Sequence, residues 1–321
     1  MDHELLAREL IRSLRGTRSQ NAFSRRLGYR SNVVSTWESG RRWPTASETL
    51  RVAARAGVDL PAAFARFYRT APEWLADGDY GSVEFVSRFL RDQKGQTATL
   101  VVATRAGVNR FSVARWLAGQ SEPRLPDFLR MVEAVSLRLL DLLAVLVDPA
   151  SLPAAREPWA RREAQRSVAI EEPWTQAVLR VLEVGGLDGS VSGVAARLRL
   201  PIDVVTRCLA ALERAGQVRR SRGRWKPVEV VAVDTRRTEE TARRLKGFWA
   251  RVGLERLEAG GEGAFAYNVF AVSEDQLRRL KELQDGYYRA VRSLVAEDAP
   301  AECVALLNLQ LVRLDDGGGS A

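Results

Sequence analysis

Apolar residues recur every three or four positions from the start of the chain. Leu5, Leu6, Leu10 and Leu14 lie on one face of a first helix, which Arg15-Gly16 ends. Ser19 is placed to cap a second helix, with Phe23 and Leu27 inward and Gly28 closing it in the left-handed conformation. Ser31 starts a short third helix in which Val34 and Trp37, three residues apart, point the same way. Gly40 ends that helix, Pro44 follows, and a fourth runs from about Ser47 through Leu50, Ala53 and Ala54. Small Ser24 falls where two helices have to cross closely.

The pattern then repeats at an offset of 79 residues. Gly28, Val34, Trp37, Gly40 and Pro44 recur as Gly107, Val113, Trp116, Gly119 and Pro123. Leu6 pairs with Phe85, Leu10 with Phe89, Phe23 with Val102, Leu50 with Leu129 and Leu60 with Leu139, without a gap. Two copies of one all-helical module are predicted, at 1–70 and 80–147.

A helix, a tight glycine turn and a second helix make a helix-turn-helix. Ser19-Gln20-x-x-Phe23-Ser24-x-x-Leu27-Gly28, then Val34-Ser35-x-Trp37-Glu38-x-Gly40-x-x-x-Pro44, resembles the XRE family of phage-repressor and Cro-like domains over residues 4–68. In that family the third helix enters the major groove. The resemblance implies base-edge contacts for Ser31, Asn32, Ser35 and Thr36. It implies phosphate contacts for Gln20, Arg41 and Arg42. Helical geometry agrees for the first set, since these four project opposite Val34 and Trp37. The other reading of these small polar residues is a merely solvated face. The second copy departs from the pattern. Gln120 and Ser121 replace the two arginines, and the matching helix face reads Arg110, Phe111, Ala114 and Arg115. Arginines read guanines, whereas an exposed Phe111 fits a protein contact equally well.

Prolines 149, 153, 158 and 173 mark 148–172 as a linker. Residues 173–228 begin a new module. Trp174, Val178, Leu179 and Leu182 form one helical stripe, and Val191, Val194, Ala195 and Leu198 a second. After Leu200-Pro201 comes a third, with Val204, Val205, Leu209 and Leu212. Residues 217–226 read as a hairpin turning at Gly223 and carrying Arg219, Arg220, Arg222, Arg224 and Lys226. Three helices and a basic hairpin resemble a winged helix, whose wing lies along phosphates or serves only to join domains. Residues 229–314 read as a small α+β domain for association or sensing. A helix spans 235–252 there, and a long helix follows Ser273 between strands at 264–272 and 303–314. A polar tail, 315–321, is expected to be disordered. The order of modules over 170–314 resembles bacterial regulators whose C-terminal half is known only as a domain of unknown function. That implies transcription regulation and supplies no ligand. The aromatics Phe248, Trp249, Tyr267, Phe270, Tyr287 and Tyr288 read as core before they read as a pocket. The fold class expected is mainly α, with tandem repressor-like domains, a winged helix and this α+β domain.

Charge sharpens the picture. Residues 1–70 carry 13 basic and 6 acidic side chains, a net of +7, and 151–228 carry 14 and 8, a net of +6. The intervening 71–150 and the terminal 229–321 sum to −1 and −3. Two basic modules alternate with two near-neutral ones, as polyanion-facing patches or as ordinary solvated surface. Chemistry is thinly supplied. His3 is the single histidine, Cys208 and Cys303 read as separate core thiols, and there is no Walker or Rossmann glycine pattern. No metal, no cofactor and no enzymatic activity are expected. With no apolar run long enough for a bilayer and no leader pattern, the expectation is a soluble cytoplasmic protein without membrane contact. The sequence is read as a DNA-binding transcription regulator, a homodimeric repressor on double-stranded DNA. The competing reading is an adaptor that kept helix-turn-helix folds for protein contact.

Overall fold

A computed structural model describes residues 1–68, 71–228, 239–295 and 299–315. The fold is mainly α with one small two-stranded sheet. It divides into two units, residues 1–160 and 161–321.

The first unit holds helices α1 (His3–Arg15), α2 (Gln20–Arg26), α3 (Val33–Glu38), α4 (Ala46–Ala56) and α5 (Leu60–Phe67). Then come α6 (Val83–Lys94), α7 (Thr99–Ala106), α8 (Arg110–Leu117), α9 (Leu125–Ser136) and α10 (Leu139–Leu146). The caps follow the local chemistry. Ser19 Oγ accepts from the Ala22 amide, and Thr45 and Glu48 form a capping box at α4. Gly28 sits at φ +91° and Gly107 at +64°, the left-handed residues that end α2 and α7.

The ten helices build one core. Leu6, Leu10, Phe23, Val34, Trp37 and Leu50 share it with their equivalents Phe85, Phe89, Val102, Val113, Trp116 and Leu129. Phe89 of the second copy lies 5.4 Å from Phe64 and 5.6 Å from Phe67 of the first, ring centroid to centroid. His3, the single histidine, is half-buried against α9, its Nε2 2.6 Å from Glu133 Oε2. The segment expected as a linker is largely a helix, α11 (Pro153–Glu171), which begins on one proline and contains Pro158.

In the second unit α12 (Trp174–Val181), α13 (Val191–Leu198) and α14 (Ile202–Arg214) pack around Val178, Val194, Val205, Cys208 and Leu209. An antiparallel hairpin follows, β1 (Val218–Ser221) with β2 (Arg224–Pro227). Its turn residues Arg222 and Gly223 both have positive φ, 51° and 78°, as a two-residue hairpin turn requires. Helix α15 (Glu239–Glu258) brings Phe248 and Trp249 edge-on to Trp174, with centroids 5.8 and 5.5 Å away. Helix α16 (Glu274–Val295) comes last.

The two strands expected at 264–272 and 303–314 do not form. Both segments run without a ladder, and Tyr267, Val269, Val312 and Leu314 stand 65–92% exposed. Their alternating apolar residues have no surface of this one chain to bury against, and burial is what stabilises a strand with that pattern. Phe265, Phe270 and Tyr287 are likewise exposed and are not core. For the same reason Cys303 is exposed, whereas Cys208 is buried as expected. The start of the helix expected from 235, and the tail beyond 315, lie outside the described residues.

Candidate nucleic-acid interface

Helix α3 takes its place from Val34 and Trp37, 0% and 1% exposed, which anchor its inner face. Tyr29 meets the Trp37 ring edge-on at 5.7 Å. Its hydroxyl bonds Glu48, and burial with that carboxylate pushes the phenol up to about 12. The outer face is polar, with Ser31 exposed and Asn32, Ser35 and Thr36 half-buried.

The side chains on that face are partly engaged already. Asn32 is the N-cap of α3. Its Oδ1 accepts from the Ser35 amide and from Ser24 Oγ, both at 3.3 Å, which leaves its Nδ2 group outside these bonds. Ser24 in turn accepts from the Val34 amide at 3.1 Å, so the small residue at the helix crossing is a hydrogen-bond hub. The Thr36 hydroxyl donates to the Val33 carbonyl at 2.7 Å.

Glu38, at the end of α3, organises what lies behind it. Its side chain is 5% exposed, and Arg15 closes on it with Nε 2.6 Å from Oε1. Arg12 lies 3.7 Å away, and Gln20 donates through Nε2 at 2.8 Å. Gln20 is thereby turned to Glu38. A buried carboxylate needs such donors, and Gln20 supplies one. Sequence reasoning passed over Glu38; an acidic residue beside two core positions was the available signal. Arg41 and Arg42, just beyond α3, are exposed and form no ion pair among the described residues.

At the equivalent place in the second copy Arg110, Phe111, Ala114 and Arg115 are all exposed, Phe111 to 65%. The Arg110 guanidinium lies 4.9 Å from the Phe111 ring centroid. Leu117 replaces Glu38 and is buried. The copies meet at the loops after α3 and α8. The Ala46 amide donates to the Pro123 carbonyl at 3.0 Å and the Leu125 amide to the Pro44 carbonyl at 2.9 Å. Glu122 accepts from the amide and the hydroxyl of Ser47, both at 2.9 Å.

In the second unit the hairpin sorts its cations by face. Val218, Arg220, Trp225 and Pro227 share one side, and Arg219, Arg224 and Lys226 the other. Arg219 stands directly opposite Lys226, and like charges in that position destabilise a hairpin. All five cations are exposed. Arg224 has a carboxylate neighbour, Asp188 at 3.6 Å. That carboxyl is held below its usual range, first by its hydrogen bond from Ser190.

Other chemistry is sparse. Among the described residues no three His, Cys, Asp or Glu side chains are grouped to hold a metal ion. A hollow of about 610 Å³ beside Trp74 and Phe85 is open and rimmed by Glu73, Asp77, Asp79, Glu84 and Arg88. No described helix is long and apolar enough to cross a membrane.

No curated protein and no solved structure matches the chain. Residues 160–314, 155 of the 321, match a family described as a domain of unknown function (DUF4423).

Proposed function

We propose that the protein is a sequence-specific, double-stranded-DNA-binding transcription regulator and not an enzyme. Its first module acts as a repressor-type helix-turn-helix, and α12–α14 with the hairpin act as a winged helix. The observation that carries this is the pair of exposed cation sets. Arg41 and Arg42 follow the polar face of α3, and Arg219, Arg224 and Lys226 crowd one face of a hairpin. Ser31, Ser35 and the free amide nitrogen of Asn32 meet base edges, and the cations meet phosphates, which position the protein without reading sequence. The alternative, an adaptor that binds protein through the same surfaces, is less well served by like charges facing one another.

The protein acts as a homodimer joined through its second unit. One recognition helix covers few base pairs, but a chain with two such helices has less need of a partner on that ground. A better reason is the apolar surface of 254–314, where Leu254, Phe265, Tyr267, Val269, Leu309 and Val312 are among the exposed residues.

Titration of the full-length protein into labelled random duplex at several salt concentrations tests the DNA reading. Micromolar binding that weakens steeply with salt is expected, and no binding at about 50 mM salt would refute it. Sedimentation tests the dimer. Tyr267→Asp with Val269→Asp is expected to give a monomer, and a wild-type protein that is already monomeric at high concentration refutes it.

A further inference from the structure

The contacts between the two copies come in matched pairs. At the offset of 79, α1 corresponds to α6 and α4 to α9. Helix α1 packs on α9, and α6 packs on α4. Helix α5 packs on α10, its own equivalent, and α4 on α9. The bonds from Ala46 to Pro123 and from Leu125 to Pro44 are one bond made twice, because 46 corresponds to 125 and 44 to 123. Thr45 faces its own equivalent, Arg124, in an antiparallel bridge. When i meets j and j meets i, the surfaces are related by a two-fold axis. The first unit is therefore built as a dimer is, inside one chain, with the axis passing between Thr45 and Arg124.

A two-fold leaves the direction along its axis unchanged. Whatever component the outer face of α3 has along that axis, the outer face of α8 shares it. Both helices end seven residues before the axis, α3 at Glu38 and α8 at Leu117. Seven residues reach at most about 25 Å, and Gly40 and Gly119 bend both loops alike, at φ +75° and +72°. With about 5 Å across the bridge, the helix ends thus stand within about 55 Å of each other, a bound that admits the ~34 Å separating successive major grooves on one side of B-DNA. The faces themselves differ. Small neutral polar groups on α3 answer to Arg110, Phe111, Ala114 and Arg115 on α8.

From this we infer that a single chain reads an asymmetric operator, with α3 and α8 on two unlike half-sites in inverted orientation, one helical turn apart. The inference rests on the DNA reading above and assigns the second copy to DNA as well. Arg110 and Arg115 suit guanine edges, while Phe111 and Ala114 suit thymine methyl groups. The copies cannot dissociate from one another, so occupancy needs no second chain.

The test is selection from a random duplex library by the full-length protein, repeated with variants. The wild type is expected to enrich two different inverted half-sites about 10 base pairs apart. Arg110→Ala with Arg115→Ala is expected to erase preference in one half only and weaken the selected site roughly tenfold or more. Arg110→Lys with Arg115→Lys keeps the charge and is expected to lose the same preference. Asn32→Ser with Ser35→Ala is expected to act on the other half, and about five base pairs inserted between the halves, half a helical turn, should abolish the gain from having both. All four side chains are exposed or half-buried, and circular dichroism checks that the variants fold. Two identical half-sites at that spacing of about 10 base pairs overturn the inference. So does a site whose preferences the Arg110 and Arg115 variants leave intact, which would give the α8 face to a protein partner while sparing DNA reading by α3. Enrichment of nothing overturns the DNA reading itself.

Discussion

Replacing Glu38 tests how α3 is held. Its carboxylate is nearly buried and satisfied by Arg15, Gln20 and the more distant Arg12. Deleting one partner of a buried pair costs about 3–5 kcal/mol when the other charge is left stranded. Here the side chain of Arg12 is 55% exposed and that of Arg15 20%, so water recovers part of their solvation. For Glu38→Ala the expected loss is therefore about 2–3 kcal/mol. The second copy supplies the control, because Leu117 occupies the equivalent position and is buried. Glu38→Leu fills the same space without a charge, and replacing buried ion pairs by apolar side chains is often close to neutral. Its expected cost is about 1 kcal/mol or less. At roughly 2–4 °C per kcal/mol for a unit of this size, the alanine variant should melt roughly 5–10 °C lower and the leucine variant a few degrees lower at most. Thermal unfolding of the full-length variants followed by circular dichroism reads the difference. Equal losses for alanine and leucine would show that the volume and charge argument is wrong.

Three further outcomes are expected. Glu122→Ala strips the buried Ser47 amide and hydroxyl of their acceptor and should cost about 1.5–3 kcal/mol, measured by urea unfolding; no change would mean the joint between the copies is not held there. Native protein should titrate one fast thiol, the exposed Cys303, and a second only in denaturant. Burial pushes the Cys208 thiol up to about 12 from an ordinary 9.0, so its contribution to stability is full below the lower value and is lost as pH rises toward the upper. Replacing Arg219, Arg220, Arg222 and Arg224 by alanine should lower the log–log salt slope of DNA binding by about 0.9 for each phosphate the hairpin no longer neutralises; an unchanged slope would remove the hairpin from the interface.

Local chemistry made much of the first unit legible. Ser19, Gly28, Trp37 and Gly40 act through backbone conformation or burial within a few residues, and each took the place its pattern implied. The repeat predicted two modules but not their union. The residues that join them, Pro44, Thr45, Ala46 and Glu122, act through main-chain bonds and one carboxylate that no hydrophobic period reports. Asn32 shows a different limit. Its amide suited base reading in any helix, while a second bond to its Oδ1 comes from Ser24, eight residues away. Asn32→Ser keeps an N-cap oxygen and removes the amide, whereas alanine would remove both and cost about 1 kcal/mol of helix stability besides. The strands expected at 264–272 and 303–314 failed for a third reason: a period of two specifies a face but not what covers it.

The bond between His3 and Glu133 spans 130 residues of chain. At a synthesis rate of about 5–20 residues per second, the first helix leaves the ribosome roughly 6–26 seconds before the helix it packs against. Its apolar face, with Leu6, Leu10 and Ile11, has its own copy to fold on in the interval, but α4 and α5 remain without the helices that complete them. A nascent chain halted near the end of the first copy carries all of α1–α5 on a half-built core. Such a fragment exposes the apolar faces of α4 and α5 that the second copy later covers, so the first copy is completed only when the second has been made.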